Sequence, residues 1–295
     1  MLDYRMITFL KVCQTMNYTH AAQSLHITQP AVSQHIHYLE EQLHVKLFEY
    51  EEKQLKLTEA GKILYRFAAT VNHDFHELSN QLSNENNRLH LRFGVTLTIG
   101  EYLMPKVLIK LLNQHQNIQL QMIVANTAEL LMQMEEEKLD FAIVEGYYPN
   151  QEYEGRVYRK ERFIGICHVD HPFAATECTL SDLKNERLLL RENGSGTREV
   201  LERALKEKNM SFDNFCERIE IGNLNVIKQL VMKKIGITFC YEPVVAQELK
   251  NDDLKVMNIK DFQVAHDFTF IWRKNSIFQN LYQSIYEQMC SCINE

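Results

Sequence analysis

Apolar and polar positions alternate in two different styles along the chain. Over the first sixty residues apolar side chains recur in short runs at helical spacing. Residues 3–16 predict a helix whose Ile7, Phe9 and Leu10 face a small core. Ala21, Ala22 and Leu25 predict a second, short helix, with Ile27 as a buried plug in the turn that follows. Thr28 is placed to cap a third helix, and Pro30 falls in its first turn, where a missing N–H costs nothing. Val32, Ile36 and Leu39 form the buried face of that helix. Leu47-Phe48 and the alternating Leu55-Lys56-Leu57 predict two strands joined by the polar tip Glu51-Glu52-Lys53-Gln54. Thr58 caps a long helix over residues 58–87, in which Leu64, Phe67, Val71, Phe75, Leu78 and Leu82 keep nearly heptad spacing. Such a stripe predicts a partner helix, and residues 83–87 are a polar hinge.

From residue 88 the pattern becomes strand, helix, strand, repeated. Strands are predicted at residues 89–95, 118–124 and 141–144. Helices are predicted at 99–115, kinked or broken at Pro105, and at 129–137. Residues 156–167 form a long strand crossing into a second unit. That unit has strands near 188–190, 218–221 and 235–239, and helices near 197–208, 224–233 and from 244. A strand at 268–272 and a helix from 277 return to the first unit. This order implies a mainly parallel sheet with helices on both faces.

Composition and charge narrow the picture. The 295 residues are 45% apolar and 24% charged, an ordinary globular balance. No apolar run approaches the ~20 residues that span a bilayer. The first residues have no signal-peptide pattern, so a cytoplasmic chain with no membrane partner is expected. The seven cysteines are scattered without CxxC spacing, which speaks against a disulfide framework or a zinc site, and no metal is expected. The net charge of −7 is unusual for a nucleic-acid binder. Within residues 1–66, Arg5, Lys11, Lys46, Lys53, Lys56, Lys62 and Arg66 are cancelled by Asp3, Glu40, Glu41, Glu49, Glu51, Glu52 and Glu59. His20, His26, His35, His37 and His44 are a charge reserve at mildly acidic pH.

Two closely packed helices followed by a two-stranded hairpin form a winged helix-turn-helix. Its second helix presents Gln29, Ser33, Gln34 and His37, side chains suited to base edges and phosphates. The ordered string Ala21-Ala22, Thr28-Gln29-Pro30-Ala31-Val32-Ser33, Leu39-Glu40, Leu47-Phe48 and Leu57-Thr58-Glu59-Ala60-Gly61 resembles the LysR-type transcriptional regulators. The resemblance implies an α+β winged helix-turn-helix DNA-binding domain at 1–58 and a dimerising linker helix at 59–87. It implies an α/β two-subdomain effector domain of the type II periplasmic-binding-protein kind at 88–295. Subdomain I would take 88–161 and 267–295, and subdomain II 162–266. Double-stranded promoter DNA, RNA polymerase and a second copy of the chain, as homodimer or homotetramer, are the implied partners. Thr28, Gln29, Pro30, Ser33, Gln34 and His37, with Lys53 and Lys56 on the wing, would contact DNA, and Lys62 would add a phosphate contact. The family often places Arg or Lys where this chain has Gln34, His37, Tyr50 and Glu51.

An effector would sit where strand ends meet helix N-termini. The strongest signal is Arg191-Glu192-Asn193-Gly194-Ser195-Gly196-Thr197-Arg198, where a strand ends, two glycines free the backbone, Ser195 and Thr197 add donors and a helix is about to begin. Thr96 and Thr98, Asn126 and Thr127, Glu145, and Asn223 also follow predicted strands. Each could be a plain cap. Their convergence in one fold suggests a small oxyanion or carboxylate as effector, with no other cofactor. Glu145 would then sit at the rim or receive a cationic part, and would donate only if protonated. Two alternatives remain. An enzyme on the same cleft fold, a transferase or dehydratase, would need a nucleophile with a base, and neither an HExxH, a GxSxG elbow nor a Walker loop is present. A thiol-based redox-sensing regulator would need an exposed low-pKa cysteine.

Overall fold

Short polar side chains start the N-terminal helices. Asp3 accepts from the Arg5 N–H at 2.8 Å and opens α1 (Tyr4–Thr15). Asn17 accepts from Thr19 and His20 and opens α2 (Tyr18–Ser24). Thr28 accepts from the Ala31 N–H and opens α3 (Gln29–Leu43) with Pro30 in the first turn. Caps of this kind are each worth about 1 kcal/mol. Strands β1 (Phe48–Glu51) and β2 (Gln54–Leu57) pair antiparallel. Glu52 and Lys53 between them both adopt positive φ, as a two-residue hairpin turn requires. The helix α4 (Glu59–Leu82) follows. The computed structural model describes residues 2–82, 89–114 and 118–292, so the hinge expected at 83–87 lies outside the described residues.

Phe9, Val12, Ala21, Ala22, Val32, Ile36 and Leu47 close one core beneath these elements. Two sequence expectations fail here. Ile27 is 37% exposed and plugs nothing; its N–H bonds the Ala22 carbonyl, and the alanines close the core instead. Ile7 is also exposed, because Phe9 and Leu10 occupy the inward face of α1. Of the α4 stripe, Phe67, Leu78 and Leu82 are exposed in the single chain, while Ala68, Ala69 and Asp74 are buried.

The chain divides into two compact units, Met1–Asn87 with Arg273–Gln279, and Arg88–Trp272 with Asn280–Glu295. The short return segment of the first unit is fastened to α4. The Asp74 carboxylate accepts from the Ser276 hydroxyl at 2.5 Å and the Ile277 N–H at 2.9 Å, and Thr70 donates to the Lys274 carbonyl.

In the second unit β3 (Leu89–Val95) leads to α5 (Leu97–Tyr102) and α6 (Met104–Gln114), broken at Leu103 just before Pro105. Next come β4 (Ile118–Val124), α7 (Thr127–Glu135), β5 (Phe141–Val144) and the long β6 (Tyr153–His168). The chain continues through β7 (Arg187–Leu190), α8 (Gly196–Glu207), β8 (Glu217–Glu220), α9 (Leu224–Met232) and β9 (Ile237–Tyr241). It ends with α10 (Ala246–Lys250), β10 (Leu254–Val256), β11 (Val264–Arg273) and α11 (Gln279–Ser291). The strand order is β4-β3-β5-β11-β6-β9-β7-β8, with β10 also on β6.

Two parallel halves are therefore joined by the long strands β6 and β11. Arg92 and the buried Asp140 lock β3 to the start of β5, with Asp140 accepting from both the Arg92 guanidinium and its backbone N–H. Phe93, Phe141 and Phe270 stack in one half, and Phe163, Tyr241 and Phe268 pack in the other. Parallel β3, β4 and β5 carry Thr96, Asn126 and Glu145 just past their C-terminal ends, on one edge of the sheet. Parallel β7, β8 and β9 do the same for the second half.

Candidate nucleic-acid interface and effector site

On α3, Gln29, Gln34 and His37 are exposed. Gln29 donates to Ser33 at 2.9 Å, and His37 lies 3.0 Å from the Glu41 carboxylate. A groove of about 860 Å³ runs beside this helix, lined by Asn17, Tyr18, Gln29, Ser33, Tyr50 and Lys53. His35 does not belong to this face. Its Nδ1 pairs with the Thr8 hydroxyl at 2.9 Å and its ring packs edge-on to Tyr4, so burial lowers its pKa and it is no charge reserve. The local bases are largely answered by acids: Lys46 by Glu40, Lys56 by Glu51, Lys62 by Glu59 and Arg5 by Asp3.

In the second unit the loop before α8 turns on Gly194, at φ +84°, a conformation side chains disfavour. The next glycine matters for contact. A Cβ on Gly196 would lie 2.6 Å from the Gly146 nitrogen, and one on Gly146 would lie 2.7 Å from the Thr127 hydroxyl. The end of β5 thus touches the start of α8 backbone to backbone, which brings Glu145 onto the first turn of that helix. Thr197 donates to Glu145 Oε1 at 2.6 Å.

Around this contact, six buried side chains each keep a polar atom without a hydrogen-bond partner. They are the hydroxyls of Thr96, Thr98, Thr127 and Ser195, Oε2 of Glu145 and Nη1 of Arg191. Buried polar groups in proteins are usually satisfied, so six in one neighbourhood make this a candidate ligand site. Arg191 is held from the other side, where its Nε and Nη2 bond Glu192. Burial raises the Glu145 pKa, opposed by Thr197, by Thr98 beside it (outside hydrogen-bonding geometry) and by Arg191. Glu145 is 1% exposed, so it is not a rim residue: the Gly146–Gly196 contact drives it inward.

The structure separates caps from free donors. Asn126 Oδ1 accepts from the Glu129 N–H and Asn223 Oδ1 from the Val226 N–H, so each caps a helix through its oxygen and keeps its Nδ2 donors. Thr96 and Ser195 occupy cap positions without capping, which leaves their hydroxyls to the site. Arg191 opens the same Arg191-Glu192-Asn193-Gly194 stretch that signals the loop, yet sequence reasoning gave it no role. Its residue type in front of a glycine loop was the available signal. Tyr241 and His266, which both reach the Glu145 carbonyl, carried no such signal.

Among the described residues no group of three or more His, Cys, Asp or Glu could hold a metal, and no helix is long and apolar enough to cross a membrane.

Comparison with known proteins places these features. The model of the LysR substrate binding domain matches residues 84–289, and that of the bacterial regulatory helix-turn-helix protein, lysR family, matches residues 4–62. The HTH-type transcriptional regulator CysL of Bacillus subtilis (strain 168) is 27% identical over 267 residues, covering 90% of this chain and 88% of that protein. The RuBisCO operon transcriptional regulator of Allochromatium vinosum is 26% identical over 269 residues, with coverage of 90% and 88%. Among solved structures, the Synechocystis PCC6803 CcmR regulatory domain in complex with 2-PG gives a TM-score of 0.63 at 20% identity, over 70% of this chain and 99% of that one. A Corynebacterium glutamicum OxyR C206 mutant gives 0.60 at 22% identity, over 99% and 92%. At these identities the structural likeness speaks for the fold.

Proposed function

The chain belongs to the LysR family of DNA-binding transcriptional regulators, whose effector domains answer to small ligands, and we propose that its own effector is a small anion held between β5 and α8. The observation that carries this is the set of buried unpartnered donors, Thr96, Thr98, Thr127, Ser195 and Arg191, around the contact of β5 with α8. The helix N-terminus adds free N–H groups and a favourable dipole. Of the residues expected from sequence, Gly194 and Gly196 shape the loop, Thr197 positions Glu145, and Asn126 and Asn223 serve as caps. A ligand changes DNA binding only if it prefers one arrangement of the regulator to another. A site made by contact between two sheet halves is suited to that, because an anion between them biases how closely they approach.

On this proposal α3 lies in the major groove with Gln29, Ser33, Gln34 and His37 toward the bases, Thr28 and Pro30 fixing its start, and Lys53, Lys56 and Lys62 toward phosphates. Residues 1–58 form the DNA-binding domain, 59–87 the linker and 88–295 the effector domain, working in the cytoplasm. The exposed apolar residues Ile63, Phe67, Leu78 and Leu82 of α4 pair with a second copy, in a dimer or tetramer.

A regulatory rather than catalytic role for the domain rests on the relatives it matches, which are transcriptional regulators. Neither Cys167 nor Cys240 is suited to thiol sensing, since burial pushes both thiols up to about 12; Cys216 is the exposed cysteine among the described residues. The test is native mass spectrometry of the full chain purified from its own cells. A retained small anion, lost in Arg191→Ala, is expected. A ligand-free protein whose DNA binding ignores every anion offered would overturn the proposal.

A further inference from the structure

Glu145 is an odd component for an anion site. Its carboxyl shares the buried space with the donors that would hold the ligand, and Oε2 has no partner of its own. Oε1 is already bonded by Thr197. The arrangement is fixed by backbone: the Gly146–Gly196 contact holds the buried Glu145 against the first turn of α8.

An ionised carboxylate only accepts hydrogen bonds; a protonated one also donates. An oxyanion seated on Arg191 Nη1 and the Thr98, Thr127 and Ser195 hydroxyls would bring an oxygen against Oε2. Two anionic oxygens in contact, away from water, repel strongly. One proton between them turns that repulsion into a charge-assisted hydrogen bond. Resting on the reading of this site as an anion site, we propose that Glu145 and the effector share a single proton. The site therefore takes an oxyanion that carries its own hydrogen, of which monohydrogen phosphate is the simplest, and discriminates against a fully ionised one such as sulfate. A buried group that demands a hydrogen-bond partner is the strongest means a site has of rejecting a near-isostere, since the wrong ligand leaves it unpaired.

The other charged and titratable groups around Glu145 do not supply this proton. Arg191, from the end of β7, is a permanent cation tied to Glu192. Tyr241, on β9, donates to the Glu145 carbonyl at 3.4 Å and is held neutral by burial. His266, on β11, also reaches that carbonyl, and burial lowers its pKa, so it is neutral when the solution is neutral or alkaline. Glu199 of α8 accepts from the Tyr147 N–H, one residue past Gly146. Thr98, Thr127 and Thr197, from α5, α7 and α8, do not titrate.

The test is isothermal titration calorimetry of the full chain with sodium phosphate and with sodium sulfate, at constant ionic strength and at several pH values from about 6 to 9, in buffers of different ionisation enthalpy. Sulfate must find Glu145 protonated. Its affinity should fall by up to tenfold per pH unit once Glu145 ionises, with one proton taken up per sulfate bound. Monohydrogen phosphate should hold its affinity over the alkaline part of that range and exceed sulfate there by at least tenfold. Glu145→Gln, whose amide offers both donor and acceptor, should abolish the pH dependence of sulfate and erase most of the preference. Sulfate and phosphate binding with one common pH profile, or a preference unchanged in Glu145→Gln, would overturn the shared proton while leaving the anion site standing. Failure of both anions to bind would remove the anion site itself and the inference with it. The wild-type comparison decides the matter even if the variant fails to fold.

Discussion

The Thr197 hydroxyl donates to the Glu145 carboxylate at 2.6 Å, joining the first turn of α8 to the end of β5. This one bond ties the donor-rich loop of one sheet half to the acid of the other. Thr197→Ala removes the hydroxyl that partners Oε1 of a buried carboxyl. The expected cost is about 1–2 kcal/mol in anion affinity and a similar loss of stability. Calorimetric titration with phosphate, alongside urea unfolding, measures both; unchanged values would make the bond incidental.

Gly196 admits no side chain while the halves touch, because its Cβ would meet the Gly146 nitrogen at 2.6 Å. Gly196→Ala should therefore hold the two halves apart. Anion affinity should fall at least tenfold, while far-ultraviolet circular dichroism stays that of the wild type. Full anion affinity in this variant would show that the contact is not part of the binding arrangement.

The raised pKa of Glu145 has a definite effect on stability, caused first by burial. With its folded value above its unfolded one, the contribution is fully present below the unfolded pKa and is lost as pH rises through the folded pKa. Without anion, the wild-type melting temperature should thus fall relative to Glu145→Gln as pH rises above the ordinary carboxylate range. Parallel melting curves across pH would contradict the assignment.

Much of this organisation was legible in the sequence, and the failures have physical causes. Thr28, Pro30 and the Ala21-Ala22 pair announce the helix-turn-helix because capping and close packing are local. The Gly194 to Thr197 loop was legible for the same reason. Asn126 and Thr96 looked alike as strand-end polar residues, and only the hydrogen-bond geometry shows that one caps and the other does not. Arg191 and the burial of Glu145 depend on contacts between distant parts of the chain. His35 departs from expectation because helical spacing does not say which of two neighbouring faces turns inward, and Ile27 because an apolar residue in a turn does not reveal that Ala21 and Ala22 already close the core. The three-residue strand β10 is too short to show a period, and the docking of Ser276 on Asp74 joins residues 202 apart.

The paired bases of the N-terminal unit predict weakly salt-dependent DNA binding. Lys56 is held by Glu51 at 2.5 Å on the wing. Each phosphate neutralised contributes about −0.9 to the slope of log affinity against log salt. Glu51→Gln should free Lys56 and steepen the slope by about one such unit. Fluorescence anisotropy on a genomic fragment selected by the protein, over a series of chloride concentrations, reads this directly. An unaltered slope would mean that Lys56 does not face phosphate.

The most direct test of the whole account couples the two ends of the molecule. The same selected DNA fragment is titrated with the full chain with and without inorganic phosphate, at fixed ionic strength, for the wild type and for Arg191→Ala. The account predicts that phosphate changes the DNA affinity of the wild type and leaves that of Arg191→Ala unchanged, because the buried guanidinium Nη1 is one of the donors that hold the anion. An equal phosphate response in both proteins, or none in the wild type, would contradict it.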